Sequence, residues 1–169
     1  MNPPARVSYW LLPCDQDAER FQAAIDALAD AQNAPAFGPH MSLASIAGQQ
    51  PDLQSCLDRL RGLKLEPLEI DATDVFTMSL FVRVKPNPAL LQARTWMEAQ
   101  AGFQSQRAFD PHLSLCYGPP PAGAQEWRTV RATLKGPILF DRLAAVDIPP
   151  RVETYDHIRA WKILDKIGF

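Results

Sequence analysis

Gly38-Pro39-His40-Met41-Ser42-Leu43 and Asp110-Pro111-His112-Leu113-Ser114-Leu115 share one frame, Pro-His-apolar-Ser-Leu. The chain has three histidines, and two of them stand in this context, so chance recurrence explains the pair poorly. In an extended strand, residues i and i+2 project from the same face. His40 and Ser42 then point one way, while Met41 and Leu43 point into a core. His112 and Ser114 repeat the arrangement over Leu113 and Leu115. Two such strands brought together surround one small volume with two imidazoles and two hydroxyls.

The stretches leading to the two motifs also match. Val7–Leu12 is β-branched and aromatic and stops at Pro13, as a strand would. Asp15 can cap a helix over Ala18–Ala31, in which Phe21, Ala24, Ile25 and Leu28 recur on one face. Pro35 and Gly38-Pro39 then lead into a strand over His40–Ile46. In the second half, Met78–Val84 alternates as a strand and Pro86-Asn87-Pro88 starts a helix over Ala89–Ala101. The strand His112–Tyr117 follows. The spacing predicts an internal duplication, with strand-helix-strand units around residues 7–47 and 78–118 within one domain over residues 1–169. The fold class that follows is α+β: bilobal and pseudo-two-fold, two mostly antiparallel sheets lining a central cleft, helices outside. Elsewhere the pattern predicts a short helix over Pro51–Leu60, a strand over Leu65–Ala72 and a helix over Glu126–Leu134. Further strands are expected over Ile138–Phe140, Leu143–Ile148 and His157–Ile163.

The bulk composition narrows the class. A chain of 169 residues, 47% hydrophobic and 21% charged, can bury a real core. Its net charge of -2 argues against a strongly basic surface built to hold long nucleic acid. Cys14, Cys56 and Cys116 are odd in number and lack metal-type spacing, as free thiols in a reducing cytoplasm would be. No apolar run is long enough to span a bilayer, and no basic-then-apolar leader opens the chain. A cytoplasmic monomer with no membrane partner is the expectation.

Two histidines and two serines suit cleavage of a phosphate ester. Imidazole is the side chain that titrates near neutrality, so one ring can be neutral while the other carries a proton. The neutral ring takes a proton from the attacking water or hydroxyl, and the charged ring gives one to the leaving oxygen. The hydroxyls hold the non-bridging oxygens. Neither motif has a carboxylate cluster beside it to hold a metal, so no metal or cofactor is expected. His157, in Asp156-His157-Ile158, lacks the motif and reads as structural or surface.

On these residues the chain resembles the 2H phosphoesterase superfamily, whose mark is two H-x-[S/T]-apolar motifs in a bilobal fold. It is most similar to the cyclic nucleotide phosphodiesterase-like branch, in Tyr9-Trp10-Leu11-Leu12-Pro13, in Ser79-Leu80-Phe81-Val82-Arg83-Val84 and in Phe109-x-Pro-His-Leu-Ser-Leu-x-Tyr-Gly118. The resemblance runs to about Gly118 and fades afterwards. It implies hydrolysis of a small nucleotide-like cyclic phosphate to a monoester. A nucleoside 2′,3′-cyclic phosphate and ADP-ribose 1″,2″-cyclic phosphate are the types. His40 and His112 would be the acid and base, and Ser42 and Ser114 the phosphate ligands. Tyr117 and Trp10 match aromatic positions that line the pocket in this branch. Strict alternation would turn Tyr117 away from His112, so a bend at Cys116-Tyr117-Gly118 is needed, and Trp10 fits either the core or a stacking platform. Phe81 alternates with the apolar residues of its strand and is a third substrate-contact candidate. Arg83 and Arg107 fit solvated surface or a cationic rim. The alternatives are a 2′-5′ RNA ligase-like enzyme acting on RNA ends and a non-catalytic nucleotide-binding module.

Overall fold

The computed structural model describes residues 6–102 and 104–169. Two units carry the architecture. In the first, β1 (Arg6–Pro13), helix α1 (Asp15–Gln32) and β2 (Met41–Ala47) follow one another, with β1 and β2 antiparallel neighbours. In the second, β5 (Leu80–Val84), α3 (Pro88–Gln100) and β6 (His112–Cys116) repeat the order, again with the strands antiparallel. The motif strands β2 and β6 meet through a single residue pair, Met41 with Leu113. Those two residues occupy the same place in the two motifs, each following its histidine. Antiparallel pairing of equivalent residues is what a local two-fold axis produces, so the axis passes through this pair.

The remaining strands widen each half. Among the described residues the strand order is β3 (Lys64–Leu65), β7 (Ile138–Ile148), β1, β2, β6, β5, β4 (Pro67–Asp71), with β8 (Lys162–Gly168) also paired to β7. The two expected sheets are thus the halves of one eight-stranded antiparallel sheet, narrowest at the β2–β6 seam. Helices cover its outer side and brace the seam by crossing it: α1 packs against β6, and α3 packs against β2. Arg94 of α3 donates from Nη1 to the Leu43 carbonyl of β2 at 2.8 Å. Buried between sheet and helices are Phe21, Ile25 and Leu28 of α1, Leu90, Ala93 and Met97 of α3, and Met41, Leu43, Leu113 and Leu115 beneath the motifs.

Local chemistry moved several boundaries. Cys14, not Asp15, takes the N-cap of α1. Asp15 is already inside the helix and pairs with Arg142 at 2.9 Å, while Asp17 anchors the first turn by accepting from the Leu139 amide at 2.8 Å. The strand expected over Leu65–Ala72 is split at Glu66, because its two ends pair with different halves: β3 with β7, and β4 with β5. Ile138–Ile148 runs unbroken through Asp141-Arg142. The helix expected over Glu126–Leu134 is a 3-10 turn (Ala124–Glu126) followed by α4 (Arg128–Ala132). The strand expected from His157 is corrected: Tyr155–Arg159 is helix α5, capped by Thr154 accepting from the His157 amide, and the strand starts at Lys162. There an N-cap outweighed the apolar pattern. The last helix, α2 (Leu53–Arg59), is capped by Asp52, whose carboxylate accepts from the Ser55 amide at 2.9 Å. No helix of the described residues is long and apolar enough to cross a membrane.

Candidate active site

His40 and His112 line one cleft of about 330 Å³, together with Ser42, Ser114, Trp10 and Tyr117. The strand alternation read from the motifs explains why. Met41 and Leu113 are wholly buried on the outer side, which turns the residues on either side of each into the cleft.

Each imidazole is held the same way. His40 Nδ1 lies 2.8 Å from the Gly38 carbonyl, and His112 Nδ1 lies 2.7 Å from the Asp110 carbonyl, two residues upstream in both cases. A carbonyl oxygen only accepts, so Nδ1 carries the hydrogen and Nε2 is the nitrogen left to exchange protons. An aromatic ring braces each imidazole, and the two rings are again equivalent. Trp10 is paired with Ser42 and stacks on His40, with ring centres 3.7 Å apart and planes 15° from parallel. Phe81 is paired with Ser114 and lies 4.9 Å from His112 at 58°.

The surroundings of the two histidines differ in kind. His40 is 5% exposed and walled by rings: Trp10, with Phe37 at 6.0 Å and Trp161 at 5.7 Å, both edge-on. Burial lowers its pKa from 6.5 to about 4, and the positive charge of His112 pushes the same way, against the Gly38 hydrogen bond. His112 is half-buried and stands beside charged groups. Asp110 accepts from Arg83 Nε and Nη2 at 2.9 and 3.0 Å, and Arg83 Nη1 also reaches Asp71 at 2.7 Å and Glu69 at 3.0 Å. The Arg83 hydrogen bonds hold the Asp110 carboxyl below its usual range, and His112 adds to that. Arg83 is therefore an ion-pair hub behind His112, neither free surface nor cleft cation. Arg107 does line the cleft.

One substrate-contact expectation needs correction. Phe81 shares the face of Ser114 but is fully buried, covered by the His112 ring and by the Arg83 guanidinium 5.3 Å from its centre. It is a support for His112. Trp10 reaches the cleft, yet it is 8% exposed, with one face on His40 and Trp161 set edge-on at 5.0 Å. It is a plate behind the imidazole more than an open platform. Its indole N–H donates to Ser8 Oγ at 2.9 Å, which fixes the ring. Tyr117 is turned inward by the required bend: β6 ends at Cys116, and Gly118 adopts φ +73°. A side chain at Gly118 would meet the Tyr155 hydroxyl at 2.8 Å, so glycine is needed there on both counts. Burial pushes the Tyr117 phenol upward, which keeps it a neutral donor. His157 accepts from the Glu153 amide at 3.0 Å, away from the cleft.

Sequence reasoning missed Ser8, Ser45, Thr77 and Trp161, which also line the cleft. Ser45 faces inward because of a β-bulge. Tyr9 pairs with Ala44 and Trp10 with Ser42, which leaves Leu43 as the extra residue and turns both Ser42 and Ser45 toward the site. Trp161 comes from the end of the chain, where no motif flags it. Among the described residues no group of three or more His, Cys, Asp or Glu side chains stands where it could hold a metal ion.

No protein-family model matches the chain. It is 24% identical over 115 residues to a cyclic phosphodiesterase of Arabidopsis thaliana, a match over 65% of this chain and 64% of that relative's length. Its fold matches a crystal structure of a phosphoesterase with TM-score 0.55 and 15% identity, covering 98% of both chains. Crystal structures of E. coli LigT match in the apo form (TM-score 0.54, 15% identity, 99% of this chain and 98% of that one) and with 3′-AMP (TM-score 0.53, 12% identity, 98% of each chain). In sequence the chain is similar to a cyclic phosphodiesterase, and in fold to a phosphoesterase and to LigT, with its own two H-x-S motifs on adjacent paired strands.

Proposed function

We propose that this chain hydrolyses a ribose cyclic phosphate of the nucleoside 2′,3′- or ADP-ribose 1″,2″- type to a phosphomonoester, without a metal. The observation that carries this reading is the matched pair of imidazoles, each with Nδ1 tied to a carbonyl and both on one cleft with Ser42 and Ser114. The cyclic phosphodiesterase of Arabidopsis and the 3′-AMP held by LigT support the same substrate chemistry.

In the proposed reaction His40 is the base. Buried among rings it stays neutral, and its Nε2 takes a proton from the attacking water as the new O–P bond forms. The P–O bond to one ribose oxygen breaks, and His112, beside the Asp110 carboxylate, gives that oxygen its proton. Ser42 and Ser114 donate to the non-bridging oxygens. Ser114 Oγ meanwhile donates to the Thr77 carbonyl at 3.3 Å, a long bond easily exchanged for a phosphate oxygen. Solvent then resets both protons. Ser42→Ala and Ser114→Ala should each lower kcat about 10–10³-fold with the fold intact, read by steady-state kinetics and circular dichroism.

The position of His40 fixes the sign of the pH dependence. In the unfolded chain the ring titrates near 6.5, and in the folded chain near 4. Between those values the unfolded state binds the extra proton, so stability rises with pH across that window and is lost as pH falls through it. The acid limb of kcat/KM should accordingly lie near pH 4, and Trp10→Ala, which opens His40 to water, should move it toward 6.5. An acid limb at 6.5 in the unaltered protein would overturn the assignment of His40 as the buried base.

The direct test is incubation with a 2′,3′-cyclic nucleotide in EDTA and detection of the monophosphate. Joining or cleavage of 2′-5′-linked RNA with no cyclic phosphate hydrolysed would replace this reading with a ligase-like one. Nucleotide binding with no turnover of either would leave a binding module.

A further inference from the structure

The two imidazoles are anchored alike and supported differently. Trp10 lies flat against His40, and Phe37 and Trp161 close on it edge-on, so packing holds that ring. Beside His112 stands Phe81, tilted by 58°, and the plane of the imidazole depends on its bond from Nδ1 to the Asp110 carbonyl at 2.7 Å. Asp110 lies outside β6, which begins at His112, and its carboxylate ties it back to β5. The tie is Arg83, the residue paired with His112 across the two strands. Arg83 grips Asp110 Oδ1 from Nε at 2.9 Å and Oδ2 from Nη2 at 3.0 Å, a fork that fixes the carboxylate in plane as well as in place. Its Nη1 is held from the far side by Asp71 at 2.7 Å and Glu69 at 3.0 Å, both on β4. Three carboxylates exceed what one cation needs for balance. With Arg83 27% and Glu69 60% exposed, such pairs add little to stability. The matching places in the first half are Leu12 and Gly38, neither of them charged. The clamp belongs to the histidine that lacks a flat ring against it.

We propose that Arg83 is a positioning residue for His112: it locks Asp110 so that the Asp110 carbonyl keeps the hydrogen on Nδ1 and leaves Nε2 for the cleft. Arg83 touches no substrate and acts through the imidazole. Its effect on rate rests on the cyclic phosphodiesterase reading above, while its effect on the ring does not. Geometry, more than charge, is the contribution, because a lysine ammonium in its place would keep the charge and lose the fork.

The test reads the ring first. Long-range ¹H–¹⁵N spectra of the three histidines, taken above the range where imidazole titrates, report which nitrogen carries the hydrogen, and His112→Ala assigns the signal. His112 should be the Nδ1–H form in the unaltered protein. Arg83→Gln and Arg83→Lys should both bring in the Nε2–H form. With a 2′,3′-cyclic nucleotide each should lower kcat about 10–10²-fold, as a small misplacement of a catalytic group does, and leave KM nearly unchanged. Placed on His112→Ala, Arg83→Gln should cost almost nothing further, because its effect passes through the missing ring. An equal fractional loss in both backgrounds overturns the proposal, since a merely structural role multiplies. An unchanged His112 tautomer in folded Arg83→Gln, a loss confined to KM, or full activity in Arg83→Lys overturns it as well. If no cyclic phosphate is hydrolysed while the tautomer shifts, the activity falls and the positioning stands.

Discussion

His40→Ala and His112→Ala should each lower kcat/KM for a 2′,3′-cyclic nucleotide by about 10²–10⁴-fold, the usual worth of one positioned acid or base. The double variant should be little worse than the poorer single one. Proton removal and proton delivery serve one bond exchange, and groups acting as a unit do not multiply when lost. The singles should differ in stability. His40 fills a place among Trp10, Phe37 and Trp161, and removing it leaves a hole between rings. His112 is half-buried, and its loss disturbs less packing. Either single variant retaining more than a tenth of the activity while folded would sink the two-histidine assignment. Rates at fixed pH and thermal unfolding of all four proteins decide it.

Phe81→Ala should be among the most costly changes of a residue that touches no substrate. The ring is wholly buried between the sheet and His112, so truncation removes apolar contact and leaves a cavity beneath the imidazole. A loss of about 3–5 kcal/mol is expected, read as a lower denaturant midpoint with unchanged slope. Activity under folding conditions should fall as well, because His112 loses its backing. Phe81→Leu should recover most of the stability and less of the rate, since a branched aliphatic chain fills space without bracing a flat ring. Equal recovery of both would mean that Phe81 only fills volume.

The chain's own letters carried the centre of the site but not its edges. Two Pro-His-x-Ser-Leu stretches imply two strands with shared faces, and the period of two places His40, Ser42, His112 and Ser114 without further information. Ser45 needed knowledge of the bulge at Leu43, a pairing irregularity that strict alternation reads as a residue facing the core. Phe81 was placed on the correct face and given the wrong task, because alternation tells direction and says nothing of what lies on top. Arg83 looked like surface since its partners, Asp110, Asp71 and Glu69, are distant in sequence and meet only through the pairing of β4, β5 and β6. The strand expected from His157 failed to a local contest, in which the Thr154 cap won a helical turn. Trp161 follows that turn, and its role depends on β8 closing against β7, a long-range pairing with no local signature.

The single pair at the seam, Met41 with Leu113, has a chemical consequence. A backbone related to itself by a half-turn is even-handed: it offers the same carbonyl, the same hydroxyl and the same approach to either imidazole. Nothing in the scaffold says which ring receives a proton and which releases one. The tie is broken by upholstery, indole and phenyl rings around His40 and carboxylate and guanidinium behind His112. In the proposed reaction the direction of proton flow is thus a property of side-chain packing laid over a symmetric frame, and exchanging the linings should reverse it without moving a strand.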